Sequence, residues 1–161
     1  MRKNGIIGTD GEQMIKFSSE KVAEIIAKQK PMDVEIIERV RDNLEKKGIP
    51  LVQSEEMDRY LLSRGSEGVT FYGEPVIGLH TNASASGFFE ELIHLGQILD
   101  GRAKENDMEN KLMLEIEAKQ RLLKNRLAYG LTDFEVEVTT QSLNNYLRQL
   151  EDFRKAGGAN V

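Results

Sequence analysis

The chain has 161 residues, contains no cysteine and carries a formal net charge of −5 at pH 7. Its length fits one domain with a real hydrophobic core, and the absence of cysteine excludes disulfides and thiolate metal ligands. Acidic and basic residues are mixed along the chain, so we predict no basic surface for nucleic acid or an anionic membrane. No segment approaches the length of a membrane span or resembles a signal peptide, and we expect a soluble protein synthesised in the cytoplasm. Secretion, or delivery as part of a larger toxin, would leave no trace in this sequence.

The N-terminal third is predicted to be helical after a flexible leader. The leader, 1–17, is rich in glycine, but five of its apolar residues could dock as short strands: Ile6, Ile7, Met14, Ile15 and Phe17. Serine or aspartate caps, followed by proline or glycine stops, then predict three helices over 18–30, 33–48 and 54–65. A short extended segment over 50–53 separates the second helix from the third.

The middle of the chain has a different pattern, which predicts a small sheet. Two apolar runs over 69–72 and 75–79 flank a tight turn at Gly73-Glu74, as in a hairpin. A loop of small residues follows, and the remaining helices are predicted over 87–99, 107–129 and 133–154. Thr132 and Glu135 have the spacing of a capping box. Helices, a small sheet and then helices indicate a helix-dominated α+β fold.

We predict one domain after the leader. It covers 18–155 and comprises an N-terminal helical part, a motif core and a C-terminal helix, over 18–65, 69–129 and 132–155. No repeat, low-complexity tract or linker in the sequence divides it further.

The predicted helix over 87–99 carries a polar slot in an apolar surface. At about 100° per residue its core stripe is Phe88, Leu92, Leu95 and Leu99, and the apolar flanks are Phe89, Ile93 and Ile98. The slot between the flanks contains Glu90, His94 and Gln97. A helix that is apolar nearly all round is normally buried, and burying a carboxylate and an imidazole is costly unless they pair or bind a cation. The slot therefore indicates a Glu–His pair across one turn, a solvated polar edge or a cation site.

The segment Glu90-Glu91-Leu92-Ile93-His94 resembles the HExxH motif of the zincin metallopeptidases, with glutamate in place of the first histidine. In HExxH, two imidazoles one turn apart bind a metal, and the glutamate beside them is the general base for water on the metal. Leu95-Gly96-Gln97 resembles the usual continuation, and Glu115-Ile116-Glu117-Ala118 resembles the E-x-x-A helix that supplies the third zincin ligand. The finer resemblance is to metallopeptidase-like domains of bacterial polymorphic toxins and related phage proteins. It implies a zincin-like core over 69–127; the three N-terminal helices lie outside it.

The resemblance implies that Glu90, His94 and Glu115 are metal ligands and that Glu91 is the general base. Glu117 is the alternative third ligand; we prefer Glu115, which fits the E-x-x-A spacing. Glu115 also lies nearer the predicted apolar stripe of its helix, which is Leu112, Ile116, Leu123 and Leu127. A solvated helix flank is the alternative reading for both glutamates. In many such families an acid four residues after the third ligand braces the first histidine, and here Lys119 occupies that position.

Three further residues are weaker candidates. His80 ends the second predicted strand, where it could replace the missing imidazole, contact substrate as an accessory residue or simply be exposed. Tyr129 and Tyr146 could donate a hydrogen bond to an oxyanion, but nothing in their spacing selects them.

Zinc is the metal we expect, with manganese or ferrous iron as alternatives, because two carboxylates and one imidazole make a harder, more anionic site than HExxH. We predict a metal-dependent peptidase of the toxin-effector kind. Its substrate would be a protein or peptide, and an immunity or inhibitor protein would be its partner. The first alternative is a degenerate, non-catalytic zincin-like domain that binds protein. The second is a structural helical domain in which the motif is coincidental.

Overall fold

The computed structural model describes residues 6–7 and 19–157, which form six helices and a four-stranded sheet. The helices are α1 (Ser19–Lys28), α2 (Val34–Glu45), α3 (Glu55–Ser63), α4 (Ala85–Leu99), α5 (Met108–Lys124) and α6 (Asp133–Lys155). The strands are β1 (Ile6–Ile7), β2 (Leu51–Val52), β3 (Gly68–Phe71) and β4 (Val76–Leu79). The helix-dominated α+β class is confirmed, with the sheet preceding α4 and two long helices following it. None of the helices described here has both the length and the apolar character that crossing a membrane requires.

Part of the predicted leader belongs to the sheet. Ile6–Ile7 pairs antiparallel with β3, which was one of the two arrangements expected for these residues. The rest of the leader, with Met14, Ile15 and Phe17, and the predicted cap at Ser18 lie outside the described residues.

The sheet has the strand order β1-β3-β4-β2, with β3 and β4 antiparallel and β2 parallel to β4. Side chains alternate between the two faces of a strand, and this alternation decides which helix each face meets. A Cβ added to Gly68 would lie 2.8 Å from Glu91 Cγ of α4, whereas one added to Gly78 would lie 2.5 Å from Met57 Sδ of α3. The sheet therefore separates a layer containing α3 and α1 from a layer containing α4, α5 and α6.

Side-chain caps define the beginning of five helices, and three of these caps, Asp33, Ser54 and Thr132, are the ones that the sequence predicts. Each cap accepts a hydrogen bond from a backbone N–H in the first turn, and the caps are Asp33, Ser54, Ser84, Asp107 and Thr132. Thr132 and Glu135 form the complete capping box. The cap at Ser84 starts α4 at Ala85, two residues earlier than predicted. The helix begins earlier because Glu67 holds Ser84 in the loop of small residues. Glu67 Oε1 accepts hydrogen bonds of 2.7 Å from the backbone N–H and from the Oγ of Ser84.

The C-terminal end of α5 differs from the prediction. The helix ends at Lys124, five residues before position 129, and a turn follows that is closed by a 2.9 Å hydrogen bond from Leu131 N to Arg126 O. The turn allows Tyr129 to stack on Phe89 with ring centroids 4.1 Å apart. Leu127, predicted to be part of the apolar stripe, is consequently 88% exposed.

The buried faces of α4 and α5 are more polar than their apolar stripes suggest. Leu99 is 56% exposed, whereas all three slot residues, Glu90, His94 and Gln97, are buried. On α5 the buried face consists of Leu112, Leu114, Glu115, Ile116, Ala118, Lys119 and Leu122. The predicted apolar stripe of α5 includes Leu123 because the prediction assigns the charged residues of this helix to the solvated face.

Three apolar clusters surround these polar faces. The largest joins α2, the sheet and α4, and its members are Met32, Ile37, Leu44, Ile49, Leu51, Ile77, Leu79, Ala83, Phe88 and Leu95. A second joins α5 and α6, with Leu112, Ile116, Tyr146 and Leu150. The third joins α4 and α5, with Ile93, Ala118 and Leu122. Polar groups between the clusters are therefore removed from water and depend on protein partners.

We predict opposite effects of alanine at the two glycines inside α4. A Cβ at Gly87 would lie 2.4 Å from Glu67 Oε1, so Gly87→Ala should lower the free energy of unfolding by about 1–3 kcal/mol, as overpacking does. Gly96 has no such neighbour within 4 Å, and Gly96→Ala should raise the free energy of unfolding by about 0.5–1 kcal/mol. Urea denaturation measures both, and equal effects of the two substitutions would contradict the close packing of Glu67 on α4.

Candidate metal centre

Two adjacent helices bring three metal-binding side chains to one point. Glu90 and His94 lie one turn apart on α4, and Glu115 lies on α5. Each offers one ligand atom, and these atoms all lie within 4.8 Å of one another. All three residues are at most 1% exposed. The geometric convergence predicted for these residues is therefore confirmed, and this buried group could hold a metal ion. We call Glu90, His94 and Glu115 the triad.

His94 is held through both ring nitrogens. Nδ1 lies 2.8 Å from Gln97 Oε1, and Nε2 lies 2.9 Å from Glu115 Oε1. The second contact is not aligned as an N–H···O bond, so buried Nε2 makes no hydrogen bond of normal geometry with the described residues. An imidazole nitrogen that faces carboxylates without such a bond is suited to receive a cation.

Lys119 provides a positive charge beside the triad. Its Nζ donates to Glu90 Oε1, and both side chains are 1% exposed. Lys119 therefore contacts Glu90, the residue that aligns with the first histidine in the resemblance to HExxH, and it does so from the position where that resemblance predicts a bracing acid. Relative to that pattern, an anionic carboxylate takes the place of a neutral imidazole, and a basic side chain takes the place of an acidic brace.

Tyr146 closes the cluster from α6. Its side chain is fully buried, its ring lies 5.9 Å from Lys119 Nζ, and its hydroxyl donates a hydrogen bond to Glu115. Of the two tyrosines considered as oxyanion donors, only Tyr146 lies at the triad, because Tyr129 stacks on Phe89.

The formal charges of the cluster favour a cation. Three buried carboxylates, Glu90, Glu91 and Glu115, carry three negative charges, whereas Lys119 and a protonated His94 carry two positive charges. Replacing the His94 proton with a divalent cation would bring the total to zero. Buried charge is costly unless it is compensated, so the cluster is electrostatically suited to a divalent ion.

The ionisation of His94 and Glu115 reflects their proximity. Burial opposes the charged form of His94, but attraction from Glu115, with smaller effects of Glu90 and Glu91, outweighs it and raises the pKa to about 9. Burial likewise opposes the charged form of Glu115, and His94 outweighs it and lowers the pKa to about 2. Without a metal the two residues form an ion pair at neutral pH, and a metal at Nε2 must displace a proton.

Glu91 lies beside the triad and not within it. The residue is fully buried, its Oε1 accepts a 2.8 Å hydrogen bond from Thr70 Oγ1, and its carboxylate packs against Gly68. Gly68 faces α4, and Thr70 faces it as well because residues two apart on a strand lie on the same face of the sheet. The absence of a Cβ at Gly68 leaves the space that the Glu91 side chain occupies.

Glu117, the alternative third ligand, is not among the residues that converge at the triad. Glu117 accepts a bidentate pair from Arg102 at 2.8 and 2.6 Å and a 3.0 Å bond from Gln97. These bonds, led by that with Arg102, lower its pKa to about 2. Its side chain is 32% exposed, because two residues along the helix turn it about 200° away from Glu115.

His80 also makes its contacts elsewhere. Its Nδ1 accepts a 2.9 Å bond from Asn82 N, and its Nε2 faces Asp58 Oδ2 at 3.9 Å. Burial lowers the His80 pKa, and Asp58 partly opposes that shift. His80 is thus a part of the loop before α4, and the structure gives no support for an accessory ligand there.

Sequence reasoning did not find Thr70, it named Tyr146 without selecting it over Tyr129, and it left the role of Lys119 open. A signal for Tyr146 was present, since the buried positions of α6 recur three or four residues apart and include Thr139, Ser142 and Tyr146. Thr70 follows the alternation of β3, but nothing local shows which side of a short strand meets α4.

Comparison of the chain with protein-family models, curated protein sequences and solved structures finds no match.

The ion pair of His94 and Glu115 predicts a specific pH dependence of stability in the presence of a chelator. The folded pKa of His94, about 9, exceeds its ordinary value of 6.5, so its contribution is complete below pH 6.5 and is lost as pH rises through 9. The pKa of Glu115 is depressed, so its contribution is present above pH 4.5 and is lost as pH falls through about 2. Urea denaturation of the wild type should show falling stability from pH 6.5 to 9.

His94→Gln should flatten this dependence above pH 6.5. His80→Gln is the matched control and should retain the wild-type slope, because the pKa of His80 is lowered. Parallel profiles for the wild type and His94→Gln would show that the ion pair does not form.

Proposed function

We propose that this chain is a metal-dependent hydrolase with a zincin-like site, in which Glu90, His94 and Glu115 hold one divalent cation. One observation carries the proposal: ligand atoms from two helices, all buried, lie within 4.8 Å of one another. A carboxylate–imidazole pair on a single helix could be a simple hydrogen bond. A second carboxylate from another helix at the same point requires a cation or an equivalent positive charge.

The donor set selects the class of metal. One imidazole nitrogen and two carboxylate oxygens suit zinc, which binds such ligands at about 2.0–2.2 Å, and also suit manganese or ferrous iron. Thiolate-preferring metals are disfavoured, because the chain contains no cysteine. His94 Nε2 faces Glu115 and makes no well-aligned hydrogen bond, which supports the fit of these residues to a metal ion.

Glu91 is the general base in this proposal. It follows Glu90 by one residue, about 100° round α4, so it can approach the triad without being a ligand. Thr70 holds Oε1 through a 2.8 Å bond, which orients the carboxylate that would take a proton from the attacking water. The bound cation would polarise that water and the scissile carbonyl. Given the resemblance to toxin metallopeptidases, we propose a peptide or protein substrate and an immunity-type protein as partner.

The burial of the site favours a second candidate function, a non-catalytic metal-binding domain of the same architecture. Closed sites are typical of structural metals, whereas catalytic sites keep one open position. Glu90, Glu91, His94 and Glu115 are all at most 1% exposed. In this candidate the ion joins α4 to α5, the domain serves to bind a protein, and Glu91 has no chemical role.

We expect purified wild type to contain about one divalent metal ion per chain and Glu115→Gln to lose it. The amide is a weaker, neutral donor, so affinity should fall by more than the roughly 10–100-fold typical of losing a second-shell partner. Elemental analysis after growth in supplemented medium, with titration of the metal-free protein, measures both.

Glu109→Gln, in the first turn of α5, is the matched control, because Glu109 pairs with Arg154 at the surface. It should bind metal as the wild type does. A wild type that remains metal-free after exposure to zinc, manganese and ferrous iron would refute both candidate functions.

The effect of Glu91→Gln distinguishes the two functions. A peptidase should retain its metal and fold but lose about 10²–10⁴-fold in the rate of peptide hydrolysis, as expected for loss of a general base. Cells producing the variant should survive where the wild type is toxic.

Peptide-library cleavage and growth assays measure these effects, and retained metal content shows that the site is intact. If the metal-loaded wild type and Glu91→Gln are equally inactive and equally harmless, the hydrolase proposal is wrong and the non-catalytic domain stands.

A further inference from the structure

A chain of polar contacts connects the triad to the protein surface. It begins at His94 Nδ1, which lies 2.8 Å from Gln97 Oε1. Gln97 Nε2 then donates to Leu114 O at 3.1 Å and to Glu117 Oε1 at 3.0 Å. Glu117 in turn accepts both bonds of the Arg102 fork. Gln97 is 1% exposed, whereas the Arg102 side chain is 46% exposed.

These contacts fix the orientation of the Gln97 amide. Leu114 O and the Glu117 carboxylate are both acceptors, so the group that faces them must be the NH₂, which has two protons to donate. The oxygen of the amide therefore faces His94. A reversed amide would bring its oxygen against a carbonyl and a carboxylate, and it would leave buried groups without partners.

The amide orientation determines the proton on His94. Gln97 Oε1 can only accept, so Nδ1 must carry a proton to form this bond. When the imidazole is neutral it has one proton, and the lone pair is then at Nε2. Nε2 is the nitrogen that faces Glu115.

The outer part of the chain is fixed by the end of α4. Gly101, with φ of 73°, follows the helix, and Arg102 N donates a 3.0 Å bond to Gln97 O. This is the pattern of a Schellman motif, which places Arg102 directly after the turn that carries Gln97. Arg102 and Gln97 are thus bonded through their backbones and linked again through Glu117.

We propose that Gln97, Glu117 and Arg102 are positioning residues for His94: they hold a proton on Nδ1 and so direct Nε2 at the triad. Gln97 acts directly, Glu117 holds the Gln97 amide, and Arg102 holds Glu117. The role of Nε2 as a metal ligand rests on the proposed function, but the proton on Nδ1 can be observed without any metal. Neither Glu117 nor Arg102 touches the triad.

The experiment observes the Nδ1 proton and measures metal affinity in the same set of proteins. NMR of ¹⁵N-labelled imidazole should show a slowly exchanging Nδ1–H of His94 in the metal-free wild type at a pH above 9, where the imidazole is neutral, and again after loading with cobalt(II). Gln97→Leu should abolish that protection and weaken cobalt binding by about 10–100-fold, the range for second-shell partners of a metal ligand. Glu117→Leu and Arg102→Met, both on the surface side, should have progressively smaller effects.

Glu109→Leu and Arg154→Met are the matched controls, since they break a second Arg–Glu pair of α5 with no link to His94. Both should leave the Nδ1 signal and cobalt affinity as in the wild type. The inference is overturned if Nδ1 carries no protected proton in the wild type, or if Gln97→Leu, Glu117→Leu and Arg102→Met all match the controls. A wild type that binds no cobalt refutes the metal site instead, while the metal-free spectra still decide the position of the proton.

Discussion

The removal of charged side chains from water is the constraint on which this structure depends. Glu90, Glu91, His94, Glu115 and Lys119 are each at most 1% exposed, although none is an apolar residue. Transferring isolated charges of this kind into a protein interior costs several kcal/mol per ion unless partners replace the lost hydration. Each of the five therefore contacts a polar side chain of a different element: Glu90 contacts Lys119, His94 contacts Glu115, and Glu91 contacts Thr70. The packing of α4 against β3 and α5 is the means by which those partners are supplied.

This requirement explains why the C-terminal helices pack as they do. A helix such as α5 could bury its apolar residues alone and leave Glu115 and Lys119 at the rim. Instead both lie on the buried face, one turn apart, where each contacts a residue of α4. Tyr146 of α6 contacts Glu115 as well, so α6 contributes to charge compensation in addition to its apolar packing. Polar networks of this type specify one arrangement, because a shifted helix would leave several buried groups without partners.

Much of the fold could be predicted because its signals are local. The caps at Asp33, Ser54 and Thr132, and the alternation of the β3–β4 hairpin, require only neighbours in sequence. The triad could be predicted in position because the slot on α4 and the E-x-x-A spacing of α5 each point to one face of a helix. The predicted burial of Leu127 was wrong, because α5 ends at Lys124 and Leu127 lies in the turn that follows, next to the stacked pair of Tyr129 and Phe89.

The remaining features of the site depend on contacts between distant parts of the chain. Thr70 is 21 residues from Glu91, and Arg102 is 15 residues from Glu117. No local pattern indicates which of several polar residues will meet across such a separation. The two glutamates of α5 show the same limit, because Glu115 and Glu117 differ little in sequence context and entirely in environment.

The contact between Lys119 and Glu90 also constrains how such a chain can change over evolutionary time. Placing histidine at position 90 alone would leave the buried Lys119 ammonium facing an imidazole, and replacing Lys119 alone with an acid would place that acid against Glu90. Either single step puts an uncompensated charge in the interior, a change that commonly costs about 3–5 kcal/mol and is comparable to much of the stability of a domain. The two positions should therefore be inherited together. A stability barrier then separates the Glu90–Lys119 combination from a chain with histidine at position 90 and an acid at position 119.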